Sequence, residues 1–205
     1  ALRQICDQHG ILLIVDEVQT GFGRTGEMFA AQVFGVRPDI MAIAKGIANG
    51  FPLSATVASR ELMSQWLPGA HGTTFGGNPI ACAAALATLE VIREEKLLEN
   101  CRNMGTRLLK GMQQFQKKYP FIGDVRGLGL MLAMEMIVPG EEKTPNPEAA
   151  MAVLNNALER GLIAYMAGLQ GQVIRLIPPL NVTGEQVDEA LAILEDSLAV
   201  YSQSL

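Results

Sequence analysis

The sequence predicts an α/β fold: part of a mostly parallel sheet with helices, followed by a small α+β C-terminal domain. Three observations carry this. Two short unbroken apolar runs, Ile11 to Val15 and Ile40 to Ala44, each stop at an ionisable residue, as fully buried strands of a parallel sheet do. Helical periodicities alternate with these runs and follow them. The 205-residue chain is 49% apolar and only 18% charged. An average domain carries about 25% charge, so this chain is rich in core-forming residues.

The elements follow in order. Leu2 to His9 reads as the end of a helix, with Leu2, Ile5 and Cys6 on one side and Gly10 as its C-terminal cap. Ile11 to Val15 is the first buried strand, and it ends at Asp16 and Glu17. Gly21 to Gly26 is a glycine-rich loop. The second buried strand, Ile40 to Ala44, ends at Lys45 and is followed by turn signals at Asn49-Gly50 and Pro52. Leu53 to Ala58 reads as a third strand. Asn78-Pro79 opens a helix running to about Glu94, because Asn caps well and Pro suits the first helical position. That helix is apolar nearly all round, which predicts burial between layers.

Leu97, Cys101, Met104, Leu108, Met112 and Phe115 recur at helical spacing. They predict a one-faced helix that stops before Pro120. Beyond it, strands are expected at Leu128 to Ile137, Leu162 to Met166 and Val173 to Leu176. Helices are expected at Pro147 to Arg160 and at Gly184 to Tyr201. Thr183 and Gln186 form a capping box ahead of the last helix, whose apolar face is Val187, Leu191, Leu194 and Leu198. Pro139 to Glu148 reads as an exposed linker. The domain boundary is expected inside the helix Leu97 to Tyr119, giving domains 1–110 and 111–205.

Composition excludes several classes. A net charge of −5 argues against a general nucleic-acid binder. The uncharged stretch from Gly76 to Leu89 is shorter than the roughly 18–20 residues of a membrane span, and Leu2 onward has no apolar leader core. Three cysteines without a C-x-x-C pair, with two histidines, make neither a zinc site nor a disulfide framework. A cytoplasmic setting is the expectation. Ala1 in place of an initiating Met points to a fragment or a processed start.

Chemistry concentrates at strand ends. In open α/β sheets, ligands sit beyond the carboxyl ends of the strands, and here two such ends carry an acid, Asp16, and an amine, Lys45. Solvated strand ends are the alternative reading. GFGRTG, Gly21 to Gly26, matches G-x-G-x-x-G but does not read as a dinucleotide loop, since DEVQT separates it from the strand and Asp39 precedes the next one. HGTTFGGNP, His71 to Pro79, sets hydroxyls and glycines before a helix start, a place that favours phosphate; an ordinary glycine-rich helix entry is the other reading. Arg175 lies within the apolar strand VIRLIPPL. It requires an anionic partner, either a substrate carboxylate or a structural salt bridge.

These segments together resemble the class III aminotransferases, pyridoxal-phosphate enzymes of fold type I. LLIVDEVQTGFGRTG, PDIMAIAKGIANGFPLSA, HGTTFGGNPIACAAAL and VIRLIPPL follow in the family's order and spacing, with 29 residues from Asp16 to Lys45 and 29 from Lys45 to Thr74. The resemblance covers essentially the whole chain. It implies that Lys45 attaches pyridoxal 5'-phosphate covalently and that Asp16 lies beneath the pyridine nitrogen. It implies further that Val18 packs on the ring, Gln19 reaches the ring hydroxyl, Thr74 donates to the phosphate across a dimer interface, and Arg175 binds a substrate carboxylate. The partners implied are amino acid and 2-oxo acid substrates and a second subunit.

VIRLIPPL and PEAAMAVLNNALERGLI are most similar to the 4-aminobutyrate type within the family, which implies transamination of an omega-amino acid with 2-oxoglutarate. An acetylornithine or ornithine type is the competing member. A non-catalytic α/β domain with structural Asp16, Lys45 and Arg175 is the competing class. Members of the family are longer, with extra sequence ahead of Ala1, so the 205-residue chain by itself is expected to be inactive or poorly active.

Overall fold

A computed structural model describes residues 1–141 and 143–205. It is an α/β structure that divides into two compact units, Ala1–Leu98 and Glu99–Leu205. In the first, helix α1 (Leu2–His9) closes on Gly10, which adopts the left-handed conformation (φ 63°, ψ 31°) and turns its N–H back to Cys6 O. Strands β1 (Ile14–Asp16), β2 (Ile40–Ile43) and β3 (Ala55–Ala58) form one sheet in the order β1-β2-β3. β1 runs parallel to β2, with Ile14 opposite Ile40 and Asp16 opposite Ala42. β3 is antiparallel to β2.

Helices α2 (Ala30–Val33), α3 (Arg60–Met63) and α4 (Pro79–Glu94) and a 3-10 turn at Lys45–Ile47 complete this unit. The Asn78 side chain caps α4, its Oδ1 accepting from Ala81 N at 2.9 Å. Asp39 fastens the strand starts together: Oδ2 accepts from Leu13 N at 2.7 Å and from Arg3 Nη1 at 2.7 Å. The Leu13 N–H, then the Arg3 guanidinium, hold the Asp39 carboxyl below its ordinary range.

Burial in this unit departs from the sequence expectation. Ile11, Leu12 and Ile14 are 54%, 51% and 63% exposed, although their run reads as a fully buried strand. Regular pairing begins only at Ile14, and β1 is the edge of a three-stranded sheet. On α1, Cys6 is buried but Leu2 and Ile5 are exposed. On α4 only Ala81, Ala85 and Ile92 are buried, while Ile80 and Leu86 face outward. An apolar pattern states which face seeks cover; whether cover is present depends on neighbouring elements.

The second unit has the denser interior. Helix α5 (Leu97–Lys118) begins at the division and ends before Pro120. Strands β4 (Ile122–Leu128), β5 (Met131–Met136), β6 (Tyr165–Ala167) and β7 (Val173–Leu176) form an antiparallel sheet ordered β4-β5-β7-β6. Helices α6 (Pro147–Glu159) and α7 (Gly184–Gln203) pack against each other. The strand expected at Leu128 to Ile137 forms as β5, and a further strand, β4, precedes it: β4 ends at Leu128, the chain turns through Gly129-Leu130, and β5 returns antiparallel from Met131. β4 has no clean alternation, with Gly123 and Gly127 inside it, which is why periodicity passed over it.

Leu132, Met134 and Met136 of β5 alternate inward, and Ile174 and Leu176 of β7 join them. They meet Leu108, Met112 and Phe115 of α5, Val153 of α6, and Val187, Leu194 and Leu198 of α7 in one cluster. α5 approaches the hairpin so closely that a Cβ on Gly105 would stand 2.1 Å from Gly129 O. Thr183 and Gln186 form both bonds of the capping box on α7. The linker is exposed from Pro139 to Glu141 and at Lys143 and Thr144, while Pro145, Asn146 and Pro147 are half-buried; Glu142 lies outside the described residues. Among the described residues no helix is long and apolar enough to cross a membrane. Nor does any group of His, Cys, Asp and Glu among them suit a metal ion.

Candidate active site

β1 and β2 are adjacent and parallel, so their carboxyl ends emerge side by side. Asp16 is the last residue of β1, and Lys45 stands three residues beyond Ala42, its register partner on β2. The acid and the amine are therefore delivered to one edge of one sheet by backbone pairing. Both are exposed. Asp16 Oδ1 accepts from Val18 N at 2.8 Å, which turns the carboxylate over the start of the following loop. Val18 and Gln19 are half-buried in that same turn.

Lys45 has φ 45°, a left-handed backbone that costs a non-glycine residue about 1–2 kcal/mol. Phe22 (φ 57°) and Asn49 (φ 44°) share this conformation in the neighbouring loops. The left-handed turn at Lys45 stops β2 and starts the 3-10 turn. Phe22 packs on it: a Cβ on Gly46 would lie 3.2 Å from Phe22 Cβ. Phe22 in turn meets Phe29 edge to face at 5.6 Å. Phe22 of loop GFGRTG thus supports the Lys45 turn, and Gly23 (φ 96°) and Gly26 (φ 92°) supply the left-handed backbone of the loop.

Glu17, the second acid at the end of the first apolar run, is fully buried. Its Oε1 accepts from Ala31 N at 2.7 Å, and its Oε2 accepts from Ala30 N at 3.0 Å and from the Thr20 hydroxyl. The available signal was strand alternation: if Asp16 faces out, Glu17 faces the opposite side.

Thr74 is exposed in the segment leading to α4, beside an open cleft of about 740 Å³ lined in part by His71, Thr73, Phe75 and Gly76. α4 packs against the Lys45 turn. No described contact joins the Thr74 side chain to Asp16 or Lys45. The donor set of this unit, a strand-end carboxylate, an amine with no ion pair among the described residues and a hydroxyl ahead of a capped helix, fits the chemical parts of pyridoxal phosphate.

Arg175 belongs to the second unit. Register places Arg126, Ala133, Arg175 and Tyr165 in one row across the sheet face opposite the core. The two arginines of this row differ. Arg126 Nη1 contacts Asp124 Oδ2 at 2.5 Å and Glu135 Oε2 at 2.7 Å, and Asp124, then Glu135, raise its pKa. Arg175 has no carboxylate partner among the described residues, and its buried Nε lacks a hydrogen bond. It lines a cavity of about 190 Å³ with Leu162, Tyr165, Ile177 and Pro178.

The sequence model described as Aminotransferase class-III matches residues 1–198. The 5-aminovalerate aminotransferase DavT of Pseudomonas putida is 51% identical over 198 residues, covering 97% of this chain and 46% of that protein. The acetylornithine aminotransferase of Caldanaerobacter subterraneus is 43% identical over 199 residues, covering 97% and 48%. The 4-aminobutyrate aminotransferase GabT of Escherichia coli is 42% identical over 193 residues, covering 94% and 45%. Among solved structures, a transaminase from the marine bacterium Virgibacillus superposes with a TM-score of 0.92 at 35% identity, covering 99% of this chain and 48% of that one. The chain spans about half the length of the relatives it matches.

Proposed function

Since this chain belongs to the class-III aminotransferase family, we propose that the protein carrying it transfers an amino group between an omega-amino acid and 2-oxoglutarate with pyridoxal phosphate. The observation that carries the reading is the Asp16–Lys45 pair, set side by side by the parallel register of β1 and β2. 4-Aminobutyrate is the proposed amine donor, and its homologue with one further methylene, 5-aminovalerate, is the nearest variant given the identity to DavT.

Each residue has a role its chemistry suits. Lys45 provides the amine that holds the cofactor and then moves a proton at the substrate carbon bearing nitrogen. A positioned general base contributes about 10²–10⁴-fold. Asp16, fixed by Val18 N, keeps a proton on the pyridine nitrogen through a charge-assisted bond. When bound, pyridoxal phosphate supplies the electron sink for the reaction. With pyridoxal phosphate bound, Val18 would pack on the ring, Gln19 would reach the ring hydroxyl, and Thr74 would donate to the phosphate of a neighbouring subunit in a homodimer. Arg175, the uncompensated arginine of its row, holds a substrate carboxylate in a planar two-bond fork.

The test uses the full native polypeptide. Borohydride reduction with pyridoxal phosphate, followed by peptide mass mapping, is expected to modify Lys45 alone; labelling scattered over surface lysines would overturn the reading. Turnover of 4-aminobutyrate, 5-aminovalerate and N-acetylornithine then separates the amine donors. Preference for N-acetylornithine would move the protein to the competing type. Arg175→Lys is expected to weaken 2-oxoglutarate selectively, because an ammonium cannot match the fork. Equal loss with 4-aminobutyrate would remove Arg175 from that role.

A further inference from the structure

We propose that Glu17 is a positioning residue that sets Asp16 and the Lys45 turn relative to one another. The inference rests on the functional reading above and extends it to a residue that contacts neither substrate nor cofactor.

Every hydrogen-bonding group of Glu17 is engaged, each with a different part of the site. Its N–H donates to Ala42 O at 2.9 Å, tying the end of β1 to β2 three residues before Lys45. Its carbonyl accepts from Gly21 N at 3.0 Å, closing the turn that contains Val18 and Gln19. Its carboxylate accepts from Ala30 N, Ala31 N and the Thr20 hydroxyl. The same turn leads into Phe22, which packs on Gly46 beside Lys45. One fully buried residue therefore links both arms: its backbone ties β1 to β2 and closes the turn, and its carboxylate fastens that turn, through Thr20, to the start of α2.

The identity of the residue follows from its partners. Three donors and no acceptor meet the carboxyl group, so an acceptor-only carboxylate satisfies them all. Glutamine has the same shape but brings an NH₂. With its oxygen on two of the donors, that NH₂ faces the third, and a buried N–H is left unpaired. Aspartate is one methylene short of α2. The burial of an acid that has no ion pair among the described residues is thus explained by placement.

The experiment compares the native polypeptide, Glu17→Gln, and Leu194→Ala in the core of the other unit. Three quantities are read: the melting temperature of the apoprotein, the dissociation constant for pyridoxal phosphate, and the visible circular dichroism of the bound cofactor. Borohydride trapping at Lys45 of the native protein is the first gate. Its failure overturns the functional reading, and this inference with it. With trapping intact, Glu17→Gln is expected to weaken cofactor binding about tenfold, the scale of one misplaced buried hydrogen bond, and to reduce the dichroic band. Leu194→Ala is expected to lower the melting temperature at least as much and to keep native affinity and dichroism. Native values of both in Glu17→Gln, or equal loss in Leu194→Ala, would overturn the placement role. If Glu17→Gln does not fold, Thr20→Val removes one donor and is read in its place. It is expected to weaken binding about threefold, again with a reduced band, and an unchanged cofactor signal overturns the proposal.

Discussion

The two units solve different problems with the same kind of sequence. Residues 99–205 enclose a continuous apolar cluster between one sheet face and three helices. Residues 1–98 are equally rich in apolar runs but leave Ile11, Leu12, Ile14, Ile80 and Leu86 exposed. Besides Cys6, Ile43, Ala81, Ala85 and Ile92, the first unit buries a group beside the strand ends: Glu17, Phe22, Thr25, Ala30, Ala31 and Ala48. Its order near the strand ends comes from hydrogen bonds and tight turns, while that of the second comes from side-chain packing. The proposed chemistry is therefore held by directional bonds, which fix orientation, and the stability of the other unit by non-directional burial, which fixes free energy.

The strongest attempt to break this contrast is Lys45→Ala. It is expected to reduce transamination by more than about 10⁴-fold, since it removes both covalent attachment and the base. The apoprotein melting temperature should stay at or near the native value, and a large drop would show that Lys45 also carries fold stability. The reverse case is Leu194→Ala, expected to cost about 2–5 kcal/mol of stability in denaturant melts. If its cost is well under about 1 kcal/mol, the second unit is less tightly packed than its burial indicates.

Gly105→Ala sharpens the picture at one contact. Its methyl would meet Gly129 O at 2.1 Å, and overpacking of this kind costs about 1–3 kcal/mol. A crystal structure showing α5 unmoved would contradict it.

The smallest expected effect lies at Asp39. Because its carboxyl is held below the ordinary range, it contributes stability that is present above the unfolded value of 3.8 and is lost as pH falls through the folded value. Asp39→Asn should flatten the acid limb of the stability profile below about pH 4 and change little at pH 7. A steeper acid limb would give the opposite sign and exclude the Leu13 and Arg3 contacts as its origin.

Much of this was legible in the chain. Asn78-Pro79, the Thr183–Gln186 box and the α5 repeat each encode a local decision, and α4, α7 and α5 form where they indicate. Asp16 and Lys45 were legible as strand ends because an apolar run and its terminating charge are adjacent in sequence. Burial of the first strand was not legible, since it depends on which elements stand beside it. The β4–β5 hairpin was hidden by glycines that break alternation. The role of Glu17 was hidden because its partners, Ala30 and Ala31, lie 13 and 14 residues on and only the fold brings them to it. The contrast between Arg126 and Arg175 required the register of three strands, which no local pattern supplies.

The backbone at Lys45 has an evolutionary corollary. At φ 45° the fold alone would favour glycine, the residue to which left-handed turns cost least. Selection for folding and selection for turnover thus pull this codon in opposite directions. A library screened only for solubility should enrich Lys45→Gly, and one screened for growth on the proposed amine as sole nitrogen source should purge it. Position 45 would then be where a stability-guided redesign of this protein does the most harm.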